Sequence, residues 1–266
     1  PPPPPPPPPL FFFLCIGVHR FLHYFARRHR HLCISDRFWS LAVVELVLLI
    51  AVLEYSEIGS RIGASFSPAV TASAAMVTCA AFVLVPGFFP VVLMLATVGI
   101  ILVELSHKRQ STLMSVSAAT LSLLYLAVPL GVLAALRFQF GPEVLLLLIA
   151  TVVSSDTLQY YGGRAIGKRP LAPAISPNKT IAGAVFGFVA GITVMGLGGH
   201  WWLPEIGLMS RFLLGAGLAG LGIVGDLFES RLKRTAGIKD ASSLIPGHGG
   251  VLDRLDGFTL SAPVYY

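Results

Sequence analysis

Charged side chains are concentrated in residues 225–257 of an otherwise apolar chain. Its five acids and five bases are Asp226, Glu229, Asp240, Asp253, Asp256, Arg231, Lys233, Arg234, Lys239 and Arg254. On a helix, Asp226, Ser230 and Lys233 share one face, and Asp253 and Asp256, three residues apart, can also converge. Mg²⁺ in proteins takes one or two carboxylates plus substrate phosphate oxygens, and Lys and Arg offset the remaining phosphate charge. The stretch therefore predicts a metal and phosphate site.

A glycine-rich segment lies inside this stretch and reads Pro-Gly-His-Gly-Gly from residue 246 to residue 250. Glycine lacks a Cβ, so the backbone around His248, Gly249 and Gly250 can approach a ligand closely. The alternative is a solvated loop held by salt bridges. Asp226 argues against this alternative, because it follows fifteen residues, 211–225, whose only charge is Arg211.

A second polar group precedes the charged stretch. Asp156 lies near the end of an apolar segment, and residues 176–180 read Ser-Pro-Asn-Lys-Thr before the next one. We expect Ser176 to cap that helix, with Pro177 in its first turn. Lys179 and the free N–H groups of the helix start can then hold phosphate.

The composition indicates a membrane protein. Of the 266 residues, 55% are apolar and 12% are charged, whereas soluble domains have about 25% charged residues. Residues 66–103 carry no charge at all, enough for two helices across a hydrocarbon layer of about 30 Å. We expect an all-α polytopic transmembrane bundle. The net charge of +6 fits cytoplasmic Lys and Arg and contact with membrane lipids better than nucleic acid binding.

The apolar segments predict the elements that position the polar residues. The predicted spans are residues 38–55, two within 66–105 around Pro86, 111–136, 143–161, 180–202 and 211–230, with the start of one more at 257–266. We divide the chain into an atypical Pro-rich and basic segment (1–37), N-terminal transmembrane helices (38–142) and a C-terminal catalytic region (143–266). Glu45 and Glu54 interrupt the first span and are functional candidates, because acids inside membrane helices are costly.

The basic loops predict the orientation. Residues 162–179 and 231–256 are basic and two spans apart, so both are expected on the cytoplasmic side. The same count places the basic residues 19–37 outside, which conflicts with their charge.

The polar motifs together resemble the signature of phosphatidate cytidylyltransferases, the CDP-diacylglycerol synthases. The resemblance rests on Ser230-Arg-Leu-Lys-Arg, Lys239-Asp240, Pro246-Gly-His-Gly-Gly and Asp253-Arg-Leu-Asp256, in this order and at these spacings. It extends to Asp156, to Ser-Pro-x-Lys-Thr, and to Glu54-Tyr55 after an early helix. Ala182 departs from the pattern, since many relatives have an acid there.

The resemblance implies transfer of CMP from CTP to phosphatidate with Mg²⁺, with or without a second cation. It implies Asp226, Asp253, Asp256 and Asp156 as metal ligands. It further implies catalytic or phosphate-binding roles for the following residues: Lys233, Lys239, His248, Ser176, Lys179, Thr180, Arg234, Gly249, Gly250 and Arg254. It also implies a bacterial inner membrane protein whose active site faces the cytoplasm.

Two other functions stay open at this point. One is a related membrane transferase that acts on another lipid or isoprenoid acceptor. The other is a non-catalytic lipid-binding or transport protein, although we find no internal repeat of the kind that transporters carry. We also consider a homodimer.

Overall fold

A computed structural model describes residues 38–106, 112–244 and 249–266. The segment 1–37 and His248 lie outside the described residues, so the predictions made for them stay predictions. Residues Val43–Tyr266 form one compact unit, and the contacts below all lie within it.

The described residues are mainly helical, as the apolar segments predict. The helices are α1 (Phe38–Arg61), α2 (Pro68–Leu84), α3 (Phe89–Ser106), α4 (Thr112–Ser122), α5 (Val128–Gln139), α6 (Pro142–Ile166), α7 (Ile181–Trp202), α8 (Leu208–Thr235) and α9 (Asp256–Tyr265). Short 3₁₀ turns cover Pro86–Phe88 and Leu252–Arg254, and a π-helical turn, Leu123–Ala127, joins α4 to α5.

Six of these helical segments are long and apolar enough to cross a membrane, which confirms the all-α polytopic bundle. They are Phe38–Arg61, Pro86–Ser106, Thr112–Gln139, Pro142–Ile166, Ile181–Trp202 and Leu208–Thr235. The sequence also predicts a span where α2 lies, but α2 has only 17 residues. At 1.5 Å per residue it is about 25 Å long, slightly less than a hydrocarbon core.

The segment before α7 differs from the prediction. Residues Ser176–Thr180 form a strand, β2, paired antiparallel with β1 (Pro170–Ala172). Ser176 therefore lies at the far end of a hairpin and does not cap α7. Thr180 is the N-cap, and its Oγ1 accepts a hydrogen bond from the Gly183 N–H at 3.1 Å. The two prolines that flank the turn favour an extended hairpin over an earlier helix start.

Helices α6 to α9 pack in sequence order, α6 on α7, α7 on α8, and α8 on α9. Small residues on α7 allow this close approach. A Cβ on Gly183 would lie 3.2 Å from the Cα of Gly163, so the start of α7 lies directly against the end of α6. The packing brings the C-terminal half of α6, the hairpin and the C-terminal half of α8 to one end of the bundle.

The N-terminal helices join this end through a buried cluster. Leu48, Val52 and Tyr55 of α1 belong to the same apolar core as Ala241 and Leu252, which follow α8. Helix α1 thus supports the segment between α8 and α9.

Candidate active site

A cavity of about 580 Å³ opens among α6, the hairpin, α7, α8 and the start of α9. Its polar lining includes four acids and two bases that the sequence analysis names: Asp156, Asp226, Asp253, Asp256, Lys179 and Arg254. Ser176 and Thr180 also line it. The fold therefore brings eight of the predicted site residues to one cavity, although they come from five different elements.

Asp226 and Lys179 form an ion pair across the cavity. Asp226 lies on α8 and Lys179 near the end of β2, and their side chains are 27% and 23% exposed. Lys179 is thus held by the hairpin over the acid that the sequence analysis favours as a metal ligand. A cation at this position can offset negative charge on Asp226 or on a phosphate group that enters the cavity.

Asp256 lies in a negatively charged environment at the first residue of α9. Burial, then the negative charges of Asp226 and Asp156, raise the pKa of Asp256 to about 7. Asp156 lies beside the start of α9, since a Cβ on Gly257 would be 3.3 Å from Asp156 Oδ2. Three carboxylates from α6, α8 and α9 therefore face one another, an arrangement that a bound cation would relieve.

Asp253 has a different environment. Its Oδ2 accepts hydrogen bonds from the backbone N–H of Gly250 at 2.7 Å and of Ala241 at 2.9 Å, and its Oδ1 accepts one from Lys233. Burial alone would raise the pKa of Asp253, but the hydrogen bonds from Lys233, Gly250 and Ala241 outweigh burial and lower the pKa. A carboxylate offers about four lone-pair directions, so Asp253 retains capacity for a cation.

Lys233 contacts two acids and does not line the cavity. Its Nζ donates to Glu229 Oε1 at 2.8 Å and to Asp253 Oδ1, and the Glu229 side chain is fully buried. Lys233 therefore ties α8 to the segment that carries Asp253. The sequence analysis did not single out Glu229, although its i, i+4 spacing to Lys233 is the usual signal of such a helical pair.

The other predicted residues lie outside the cavity lining. Arg234, near the end of α8, donates to the Ile238 carbonyl at 3.4 Å, and Lys239 is exposed. Gly249 has a φ of +82°, a conformation that favours glycine, and Gly250 lies against Glu54. Their proposed contacts with substrate stay predictions.

The cavity also contains residues that the sequence analysis did not select. Gln159, Tyr160, Gly163 and Arg164 of α6 line it beside Asp156. They lie three, four, seven and eight residues beyond Asp156, which is the spacing of one helix face. This spacing is visible in the sequence, but the predicted helix ended at Tyr161, whereas α6 continues to Ile166 and so includes Gly163 and Arg164.

The donor set fits a hard divalent cation. Asp156, Asp226 and Asp256 all offer carboxylate oxygens as ligands, and burial together with the negative charges of Asp226 and Asp156 raises the pKa of Asp256. Within the described parts of the chain, no three His, Cys, Asp or Glu side chains form a ready-made metal cage. Mg²⁺ usually binds through one or two carboxylates and completes its octahedron with water and phosphate oxygens, so the predicted Mg²⁺ site stays a prediction.

Comparisons with known proteins point to one enzyme family. A model described as "Cytidylyltransferase family" matches residues 29–266. The phosphatidate cytidylyltransferase of Aquifex aeolicus is 36% identical over 184 residues, 69% of this chain and 68% of that protein.

Two further relatives carry the same name. That of Brucella melitensis is 40% identical over 134 residues, 48% of this chain and 47% of that protein. That of Helicobacter pylori is 39% identical over 146 residues, 55% of this chain and 54% of that protein. The chain thus spans about half the length of these two relatives.

Proposed function

Because the chain belongs to the cytidylyltransferase family, we propose that it transfers CMP from CTP to phosphatidate and releases pyrophosphate. The relatives named phosphatidate cytidylyltransferase support this choice of substrates. The observation that carries the proposal is the convergence of four carboxylates with Lys179 and Arg254 in one cavity.

The reaction needs no side-chain nucleophile. A phosphate oxygen of phosphatidate forms a bond to the α-phosphorus of CTP, and the bond from that phosphorus to the bridging oxygen of the β-phosphate breaks. The electron pair leaves with pyrophosphate, and CDP-diacylglycerol remains. Both substrates are anions, so charge neutralisation and positioning supply most of the catalysis.

The cavity residues divide these tasks. Lys179 and Arg254 neutralise phosphate charge, while the Thr180 hydroxyl offers a hydrogen-bond donor to phosphate oxygens. Asp226, Asp156 and Asp256, supported by Asp253, would hold Mg²⁺, which when bound would offset the charge of the CTP phosphates. A second cation and the phosphate contacts of Lys239, Arg234 and His248 belong to the same proposal.

The proposed membrane orientation follows from charge. Arg164, Lys168 and Lys179 lie at the end of the bundle that carries the cavity, and the basic C-terminal part of α8 lies there too. Cytoplasmic loops are enriched in Lys and Arg, and CTP is a cytoplasmic metabolite. We therefore place the cavity at the cytoplasmic face of a bacterial inner membrane. A homodimer stays a prediction.

A substrate assay tests the proposal. The purified full chain is incubated with CTP, Mg²⁺ and phosphatidate in mixed micelles, and pyrophosphate and the lipid product are quantified by enzymatic detection and mass spectrometry. We expect equal amounts of pyrophosphate and CDP-diacylglycerol. Parallel reactions offer an isoprenoid phosphate or an ether-lipid phosphate as the acceptor. Turnover with these alone, or no pyrophosphate release with phosphatidate, would contradict the proposal.

A further inference from the structure

Glu54 connects the first membrane helix to the segment that carries Asp253 and Arg254. Its Oε1 accepts hydrogen bonds from Ser242 Oγ at 2.6 Å and from the Val251 N–H at 3.1 Å. Its Oε2 accepts one from the Leu252 N–H at 2.8 Å. Glu54 is only 7% exposed, so these donors replace the water that an ionised carboxylate would otherwise need.

Three consecutive backbone N–H groups, those of residues 250–252, all donate to carboxylates. The Gly250 N–H donates to Asp253, and the next two, of Val251 and Leu252, donate to Glu54. Two acids from distant parts of the chain therefore fix the backbone at the start of the 3₁₀ turn Leu252–Arg254. Hydrogen bonds to charged acceptors are about twice as strong as neutral ones.

Gly250 shows how closely this contact is packed. A Cβ at that position would lie 2.6 Å from Glu54 Oε2 and 2.8 Å from Oε1. Leu252, the next donor but one, is fully buried in the apolar cluster that includes residues of α1. Polar and apolar contacts thus hold the same short segment against α1.

We propose that Glu54 is a positioning residue that holds the Gly250–Leu252 backbone so that Asp253 and Arg254 reach the cavity. Glu54 itself does not line the cavity and acts only through this segment. The effect on turnover rests on the proposed function, whereas the effect on the backbone does not.

Hydrogen exchange of the full-length chain in detergent, without metal or substrate, tests the structural step. Glu54→Gln replaces one acceptor oxygen with an NH₂ group that cannot accept. We expect the amides of residues 250–252 to exchange about tenfold faster than in the wild type, with α7 unchanged. Glu57→Gln is the matched control, since Glu57 lies on the same helix but is exposed and paired with Arg61 at 3.0 Å. Unchanged exchange at residues 250–252 in Glu54→Gln would overturn the proposal.

Kinetics test the positioning step. We expect Glu54→Gln to lower kcat by about 100-fold, because a displacement of about 1 Å at a reacting group can cost that much. The Mg²⁺ concentration for half-maximal activity should rise about tenfold, which a mere loss of folded protein would not change. Faster exchange with unchanged kcat and Mg²⁺ dependence would overturn the positioning role.

Ser242→Ala provides a milder variant that keeps the carboxylate. It removes only the 2.6 Å hydroxyl contact, and its effect on exchange should largely disappear in a Glu54→Gln background. Additive effects of the two substitutions would contradict a shared contact. If the wild-type chain turned over none of the acceptors, the proposed function would fail, while the exchange data would still decide whether Glu54 holds this backbone.

Discussion

Two groups of carboxylates lie close together at one end of this bundle, and their neighbours differ in charge. We call Asp156, Asp226 and Asp256 the cavity acids, and Glu54 and Asp253 the clamp acids. The cavity acids face one another, and burial together with the charges of Asp226 and Asp156 raises the pKa of Asp256 to about 7. The clamp acids face hydrogen-bond donors, and the hydrogen bonds from Lys233, Gly250 and Ala241 outweigh burial and lower the pKa of Asp253. The cavity acids are suited to bind a cation, whereas the clamp acids hold backbone in place, and Asp253 also lines the cavity.

The strongest test of this difference is Asp226→Asn. The variant keeps size and polarity but removes the charge opposite Lys179, so we expect turnover to fall by about 10³-fold with the melting temperature unchanged or higher. Pyrophosphate release and circular dichroism check the two parts. Glu205→Gln, an exposed acid between α7 and α8, is the control and should keep full turnover. Normal turnover in Asp226→Asn would refute the role of the cavity acids.

Lys179→Ala tests the cation that faces these acids. Loss of one positive charge next to the reacting phosphates should lower kcat by about 10²-fold, measured by the same assay. Lys168→Ala is the matched control, because Lys168 is an exposed lysine just before the hairpin and does not line the cavity. Equal losses of kcat in both variants would mean that turnover depends on basic charge in general and not on the ion pair with Asp226.

The raised pKa of Asp256 predicts the pH dependence of metal binding. A proton occupies Asp256 below about pH 7, so the Kd for Mg²⁺ should rise by up to about tenfold per pH unit below that value. Isothermal titration calorimetry between pH 6.5 and 8 checks this, and Asp256→Asn should weaken the dependence in that range. A Kd that does not change across this range in the wild type would show that Asp256 is not a ligand.

The same pKa also affects folding stability when no cation is bound. A carboxyl whose pKa is raised by folding contributes stability that is present below its ordinary pKa of about 4. This contribution is lost as the pH rises through about 7, because the ionised Asp256 is then buried and faces the charge of Asp226. With EDTA, the melting temperature should therefore fall between pH 5 and pH 8, and Mg²⁺ should restore it at pH 8.

The smallest expected effect concerns the clamp acids. Gly250→Ala places a methyl group against both Glu54 oxygens, so we expect the free energy of unfolding to fall by about 1–3 kcal/mol. Gly217→Ala on α8 is the control, since nothing lies within 4 Å of its added Cβ, and it should stay within about 1 kcal/mol of wild type. Thermal unfolding in detergent measures both, and equal stability of the two variants would argue against the clamp.

Local sequence patterns predicted much of the fold. The long charge-free runs predicted the membrane helices, because a hydrocarbon layer imposes both their length and their composition. Boundaries were less accurate. The polar ends of α6 and α8, residues 162–166 and 231–235, continue as helix where the sequence predicted a loop. The lack of apolar residues marks where a helix leaves the membrane, which need not be where the helix ends.

The structure brings several of the predicted site residues to one cavity, whereas their roles in binding metal and substrate stay predictions. Asp226, Asp256 and Lys179 converge as expected, but Ser176 lies in a hairpin and not at a helix start. Pairing between β1 and β2 decides this, and such a pairing between short polar segments leaves no periodic signal. The sequence marked Glu54 as an unusual acid inside a membrane helix and as part of the family resemblance, but it gave no sign that Glu54 contacts the segment after α8.

The sequence by itself determined the kind of protein, a helical membrane bundle, because composition follows directly from the solvent, and it supplied the charged residue types from which the site is proposed. Only the tertiary structure decided which carboxylates face each other and which face backbone donors. Glu54 and Leu252 are 198 residues apart in the sequence, yet the Leu252 N–H donates to Glu54 Oε2 at 2.8 Å. No spacing rule covers that separation, since it depends on how α1 packs against the segment after α8.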